Sequence, residues 1–142
     1  MEFIYDDGGR GKYFKGRSGD CVTRAITIAT GKDYLEVYNA INELAKKERI
    51  TKRKKTKSNA RTGVYKSTYK KYINSLGGWK WIPCMGIGSG CKVHLKADEL
   101  PKGVLLVSVS KHLTCVIDGV IHDTHDCSRN GTRCVYGYWI KK

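Results

Sequence analysis

This 142-residue chain contains a cysteine, a histidine and an acidic residue whose positions suit a thiol nucleophile, its base and an acid that orients the base. Cys21 follows Gly19-Asp20 at the first turn of a predicted apolar helix. At that position the helix N–H groups lower the pKa of a thiol and can face a developing oxyanion. A nucleophilic cysteine also needs a base, normally histidine, and the histidine needs a partner that orients it.

A predicted hairpin supplies both of these partners. Asp118-Gly119 is the strongest turn signal of the chain, and a two-residue turn there places Thr114 opposite Asp123. Strand alternation then puts His112, Thr114 and Asp123 on one face of the hairpin, as close diagonal or direct neighbours. His125 lies opposite His112 in the same register, which makes it a rival or a second polar group of the site.

The elements that must position these residues are helices first and strands afterwards. Apolar residues recur at helical spacing from Asp20 to Gly31, after Asp33, and over Val64–Leu76. Short runs rich in Val, Ile and aromatic residues predict strands at Trp79–Ile82, Lys92–Leu95, Gly103–Ser110, His112–Asp118, Val120–Thr124 and Cys134–Ile140. The Gly-rich start, residues 1–17, is predicted to be an extended lead-in. We therefore expect an α+β fold over residues 1–142, a single domain with N-terminal helices packed on a C-terminal antiparallel sheet.

Two segments resemble the papain-like cysteine peptidase superfamily. They are Ser18-Gly19-Asp20-Cys21-Val22-Thr23-Arg24-Ala25 and Lys111-His112-Leu113-Thr114-Cys115-Val116-Ile117-Asp118-Gly119. The likeness is closest to the small bacterial branches, which include the bacteriocin-leader-processing peptidases. Most of the chain, and above all the run from Ile121 through Trp139, also resembles proteins encoded in bacteriophage genomes.

The papain-like resemblance implies a papain-like fold and a thiol hydrolase that cleaves an amide or isopeptide bond of a protein or peptide. It implies that Cys21 is the nucleophile, that His112 is the general base and acid, and that Asp123 orients His112. The family pattern has a Gln six residues before the cysteine that donates to the oxyanion, whereas this chain has Lys15 there. Lys15, Arg17 and Ser18 are therefore the candidate oxyanion donors.

Positive charge is concentrated between Lys46 and Lys71. This segment has twelve basic residues and one acid, Glu48, so it carries +11 of the formal net charge of +14. Unpaired charges are too costly to bury, so we predict a solvated basic loop over residues 46–62 and a basic helix face. Such a loop either binds nucleic acid or another polyanion or is only a soluble connection. The residues expected to bind a polyanion are Lys52, Arg53, Lys54, Lys55, Lys57 and Arg61.

The six cysteines are expected to be free thiols, because no secretory signal precedes them. Two groups of residues could offer zinc ligands, but their spacing matches no common zinc motif, and we expect neither a metal nor a cofactor. These groups are Cys84, Cys91 and His94, and His122, His125, Cys127 and Cys134. No apolar run approaches the ~20 residues of a membrane span, so we expect a cytoplasmic protein, in the host cytoplasm if a phage encodes it.

Three functions stay open at this point. The first is a cysteine peptidase whose basic loop contacts an acidic or nucleic-acid-associated partner. The second is a catalytically inactive phage protein that binds nucleic acid through Lys46–Lys71. The third is a cell-wall amidase, since the papain-like layout also supports that chemistry.

Overall fold

A computed structural model describes residues 1–16, 18–86 and 88–142, which form three α-helices and a six-stranded sheet. The helices are α1 (Cys21–Thr30), α2 (Tyr34–Ala45) and α3 (Lys66–Leu76). The strands are β1 (Phe3–Tyr5), β2 (Trp79–Pro83), β3 (Val104–Val109), β4 (His112–Ile117), β5 (Val120–Asp123) and β6 (Val135–Lys141). The predicted α+β class, with N-terminal helices packed on a sheet, is confirmed.

The first two helices begin and end close to the predicted positions. α1 ends at Gly31, whose φ of 73° is left-handed and therefore suits glycine. α2 begins after Asp33, whose carboxylate accepts a hydrogen bond from the Leu35 N–H over 3.2 Å. No helix in the described part of the chain is long and apolar enough to cross a membrane.

The sheet is mixed rather than fully antiparallel, which corrects the prediction. Its strand order is β1-β5-β4-β3-β6-β2, and β1 pairs with β5 in parallel while every other neighbouring pair is antiparallel. β1 lies inside the segment predicted to be an extended lead-in. All three of its side chains are exposed, so it has no alternation of buried and exposed residues by which a strand is recognised.

The predicted strand Lys92–Leu95 is also wrong. The segment makes a single isolated bridge, between His94 and Cys134, and a 3₁₀ turn follows at Ala97–Glu99. Leu95 and Leu100 are buried against the sheet, so the apolar residues in this stretch pack as a covering loop rather than as a ladder. The neighbouring glycine-rich loop includes Ile87, which lies outside the described residues.

Both faces of the central sheet are buried, and this pins the register. Leu106, Cys115 and Trp139 pack with the helices, whereas Leu105 and Val116 pack on the opposite face. A one-residue shift in strand register would turn each set of side chains to the opposite face and disrupt the packing on both. β4 and β5 accordingly pair with Val116 opposite Ile121, as the hairpin turn predicted.

Candidate active site

The structure brings Cys21, His112 and Asp123 together where α1, β4 and β5 meet. His112 is the first residue of β4, and its Nε2 lies 2.7 Å from Oδ2 of Asp123, the last residue of β5. His112 lines one cavity with Cys21, the first residue of α1, and each of the two side chains shifts the pKa of the other. Since Asp123 occupies Nε2, Nδ1 is the ring nitrogen left for the thiol. The imidazole therefore links a thiol to a carboxylate.

The carboxylate of Asp123 is buried, and both of its oxygens accept hydrogen bonds. Besides His112 it accepts hydrogen bonds from the Thr114 hydroxyl and the Thr124 N–H, each over 2.7 Å. Burial alone would raise its pKa, but the hydrogen bonds and the charge of His112 outweigh burial and hold the pKa of Asp123 at about 2. Asp123 is thus an anion throughout the neutral range, able to orient the His112 ring and to stabilise its protonated form.

Cys21 and His112 each shift the pKa of the other in the direction that favours an ion pair. Burial would raise the pKa of Cys21, but the hydrogen bond and charge of His112, with smaller contributions from the Leu113 N–H and Arg24, lower it. Burial would lower the pKa of His112, yet hydrogen bonds to Asp123, Cys127 and Cys21 raise it well above its usual range. The lowered pKa of Cys21 and the raised pKa of His112 both favour the thiolate–imidazolium form of the pair.

The sequence did not predict a buried charge cluster behind the nucleophile. Asp20 precedes α1, but its carboxylate makes no capping bond to the helix. It is hydrogen-bonded by Arg24, accepts the Tyr34 hydroxyl over 2.6 Å, and lies 3.1 Å from Nε of Arg10. Arg24 also lies 3.3 Å from Asp123, so the cluster is joined to the triad. The four-residue spacing of Asp20 and Arg24 was the only local signal for it.

A cavity of about 670 Å³ contains Cys21 and His112. Ser18 and His125 line it, and the ring centroids of His125 and His112 are 5.3 Å apart. The Ser18 hydroxyl is buried and has no hydrogen-bond partner among the described residues. Ser18 therefore stays a candidate oxyanion donor.

Lys15 does not line the cavity that holds Cys21. It lines an adjoining cavity that shares Ser18, Arg24 and His125 with the first. The role of Lys15 as an oxyanion donor stays a prediction. Arg17, the third predicted donor, lies outside the described residues.

Cys127 is a second thiol at the triad that the sequence did not place there. Its buried sulfur lies 4.0 Å from Oδ2 of Asp123 and within 4.8 Å of a ring nitrogen of His112. His112, Asp123 and Cys127 each offer one metal-ligating atom within 4.8 Å of the others, the only such group in the described part of the chain. The same imidazole and carboxylate are already bonded to each other, so a metal would bind there only by displacing that contact.

The other cysteines differ from the prediction in one respect. Cys91 and Cys134 form a disulfide, whereas Cys21, Cys84, Cys115 and Cys127 are free. The expectation of free thiols is thus wrong for one pair. The disulfide joins the covering loop to the residue before β6, and His94 is engaged with Glu99 at 3.2 Å. The disulfide thus takes one cysteine from each of the two groups from which zinc ligands were considered.

The basic loop builds a cavity of its own. Glu48 crosslinks the loop, because its carboxylate accepts hydrogen bonds from the Ser58 N–H over 2.6 Å, the Ser58 hydroxyl and the Thr68 hydroxyl on α3. The resulting hollow of about 530 Å³ lies between the loop and α3. Its cationic lining residues are Lys47, Arg49, Arg53, Lys54 and Lys71. None of the five forms an ion pair with a described acid.

Only two of the six predicted polyanion-binding residues, Arg53 and Lys54, line this hollow. Lys57 instead donates to the Lys46 carbonyl over 2.6 Å, and the Arg61 guanidinium lies 5.5 Å from the centre of the Phe14 ring. The remaining two, Lys52 and Lys55, are exposed but do not line it. Lys47 lies in the turn after α2 and Lys71 on α3, at either end of the basic segment and outside the stretch from which the binding residues were predicted.

No family model, curated protein or solved structure matches this chain. The fold and the geometry of its side chains are therefore the grounds on which its function is inferred.

Proposed function

We propose that this protein is a papain-like cysteine hydrolase that cleaves an amide bond in a peptide or isopeptide linkage. The observation that supports the proposal is the position of the His112 ring, between the thiol of Cys21 and the buried carboxylate of Asp123. A thiol at a helix start, a base and an orienting acid are the three groups that nucleophilic catalysis by cysteine requires. The resemblance of the segments around Cys21 and His112 to papain-like peptidases points to the same chemistry.

In this mechanism the Cys21 thiolate attacks the carbonyl carbon of the substrate and forms a carbon–sulfur bond. The tetrahedral intermediate collapses when His112 gives its proton to the amide nitrogen, so that the carbon–nitrogen bond breaks and the amine leaves. His112 then takes a proton from water, whose oxygen attacks the thioester. The carbon–sulfur bond breaks, and the acid product and the Cys21–His112 pair are regenerated.

Two groups are suited to stabilise the oxyanion of both intermediates. The first is the backbone N–H of Cys21, at a helix start where Asp20 makes no side-chain cap. The second is the Ser18 hydroxyl, which is buried and unpaired among the described residues. Donors fixed in place before the reaction stabilise developing charge without reorganisation, and loss of one such donor costs about 10²–10³ in rate.

Limited alkylation with iodoacetamide near neutral pH tests the proposal. We expect peptide mapping to find the adduct on Cys21 first, because its pKa is lowered while burial raises the pKa of Cys84 and raises that of Cys115 to about 12. The three other free thiols are internal controls, and a Cys21→Ala variant should lose the fast phase. Modification of Cys84 or Cys127 before Cys21 would contradict the proposed nucleophile.

We propose nucleic-acid binding at the basic hollow as a second function of the same protein. The specific observation in its favour is that five cations line one concavity while Glu48, the acid among them, is held by Ser58 and Thr68. The hydrogen bonds of Glu48 lower its pKa despite some burial, so it is ionised, but it is committed to the loop. The surplus of about four positive charges suits a run of phosphates.

Binding of a mixed-sequence DNA duplex, followed by fluorescence anisotropy at increasing salt, tests this function. Each phosphate neutralised contributes about −0.9 to the slope of log affinity against log salt, so five contacts predict a slope of about −4 to −5. Replacing Lys47, Arg49, Arg53, Lys54 and Lys71 by Gln should bring that slope close to zero.

A matched control removes five charges elsewhere. The exposed residues Lys12, Lys80, Lys92, Lys102 and Lys142 are replaced by Gln, which changes the net charge equally. This variant should keep most of the salt dependence. An equal loss in both variants would show that binding follows net charge alone, and absence of binding at low salt would exclude the function.

A further inference from the structure

The cavity that adjoins the triad is the most informative unassigned feature of the molecule. It has a volume of about 650 Å³ and is lined by Asp7, Arg10, Phe14 and Lys15, among others. It shares Ser18, Arg24 and His125 with the cavity that holds Cys21. A substrate bound at Cys21 can therefore extend into it.

Both acids of this cavity are already engaged. The two carboxylate oxygens of Asp7 accept hydrogen bonds from the N–H groups of Gly9 and Gly11, over 2.9 and 3.0 Å. Asp20 is held by Arg10, Arg24 and Tyr34, as described above. The carboxylate oxygens of both acids are therefore occupied by contacts within the protein.

The cations outnumber the acids by one. Arg10, Lys15 and Arg24 line the cavity with Asp7 and Asp20, and Lys15 is exposed with no ion pair among the described residues. A surplus of one positive charge suits a monoanion. A phosphate dianion would face two carboxylates, unlike in the basic hollow, where cations exceed acids by four.

Arg10 supplies an unused donor. Its side chain is 9% exposed, its Nη1 donates to the Gly16 carbonyl, and its Nε lies 3.1 Å from Asp20. Its buried Nη2 has no hydrogen-bond partner among the described residues. A buried donor without a partner is costly, and the unused Nη2 can donate a charge-assisted hydrogen bond to a carboxylate oxygen.

We propose that this cavity binds a carboxylate group of the substrate next to the bond that Cys21 attacks. The proposal rests on the proposed function and adds a substrate class to it, namely peptides with an acidic residue or a free C-terminus near the cleavage point. Arg10 contributes the directed hydrogen bond and Lys15 the surplus charge.

Three thiol-reactive probes test the proposal, since they share an iodoacetyl group and differ in one carboxylate. They are iodoacetyl-glutamic acid α-amide, the neutral iodoacetyl-glutamine amide, and iodoacetyl-glutamine with a free α-carboxylate. At least one carboxylate probe is expected to alkylate Cys21 about tenfold faster than the neutral probe, the effect of one charge-assisted hydrogen bond. The faster probe shows whether a side-chain or a terminal carboxylate is bound.

Variants locate the effect in the cavity. Arg10→Lys keeps the charge but loses the planar donor, and Lys15→Met removes an exposed charge that makes no ion pair among the described residues. Both should reduce the advantage of the carboxylate probe to about twofold or less. Lys12→Met is the matched control and should leave the ratio unchanged, because Lys12 shares the 3₁₀ turn Arg10–Lys12 with Arg10 but does not line the cavity.

The outcomes separate this proposal from the proposed function. Preferential labelling of Cys21 at equal rates by all three probes would overturn the carboxylate site alone. If Cys21 is not preferentially labelled, the proposed nucleophile fails, and an NMR titration of the Cys21→Ala protein with the acetyl analogues still tests the cavity. Equal affinity for the acidic and neutral acetyl analogues would overturn the carboxylate site there as well.

Discussion

Replacement of His112 by Ala is expected to lower turnover of p-nitrophenyl acetate by about 10²–10⁴-fold, the usual contribution of a positioned acid and base. This activated ester needs no substrate recognition, so its hydrolysis reports on the thiol and its base alone. His112 is the group that offsets burial at Cys21, and without it the pKa of the thiol rises. Both acylation of Cys21 and hydrolysis of the thioester then slow down.

The pH dependence of acylation distinguishes this role from a structural one. In the native protein the rate should be nearly flat between the lowered pKa of Cys21 and the raised pKa of His112. In the His112→Ala variant the acylation rate should rise tenfold per pH unit around neutral pH, because only a small fraction of the thiol is ionised. The deficit in acylation should therefore grow as the pH falls toward 6, partly offset because a thiolate of higher pKa is intrinsically more nucleophilic.

Two variants serve as controls for this experiment. Cys21→Ala gives the background rate, and His122→Ala removes a partly buried histidine one residue from Asp123 that makes no hydrogen bond to the triad. The His122 variant should stay within about twofold of the native rate. A native pH profile in the His112 variant would refute the assignment of His112 as the base.

Replacement of Asp20 by Ala is expected to lower the free energy of unfolding by about 3–5 kcal/mol, the usual cost of removing one partner from a buried ion pair. Asp20 has no exposed side-chain surface, and the side chains of Arg10 and Arg24 are each 9% exposed. The variant leaves both guanidinium groups and the Tyr34 hydroxyl without their shared acceptor. Urea denaturation near neutral pH measures the change.

A surface ion pair provides the matched comparison. Lys32 and Glu36 lie 3.3 Å apart with side chains 40% and 60% exposed, so Glu36→Ala should cost about 1 kcal/mol or less. Asp20→Asn, which keeps the shape and one acceptor oxygen, should fall between the two. An Asp20→Ala variant no less stable than Glu36→Ala would contradict a stabilising role for the cluster.

The helices, the central hairpin and the three triad residues could be predicted because their signals are local. Gly31 and Asp33 mark helix ends within a few residues of the elements they bound. The Asp118-Gly119 turn sets the β4–β5 register, and that register alone places His112 near Asp123. Strand alternation needs no knowledge of distant residues.

The tertiary structure decided which distant groups meet. Asp20 stands where a capping residue stands, yet its carboxylate bonds to Arg10 and Tyr34, which other segments bring to it. The Cys91–Cys134 disulfide likewise joins two segments whose approach no local pattern records. Such contacts depend on how the elements pack.

The same division applies to the two candidate sites. The sequence by itself determined that the chain has a thiol at a helix start, a histidine and an acid on one hairpin, and a concentrated positive charge. Only the fold decided that Lys15 lies in the cavity beside Cys21 rather than with it, and that Lys47 and Lys71 join Arg53 in one hollow. The physical reason is that backbone periodicity is encoded over a few residues, whereas the partner of a long polar side chain is chosen by whichever groups packing places within its reach.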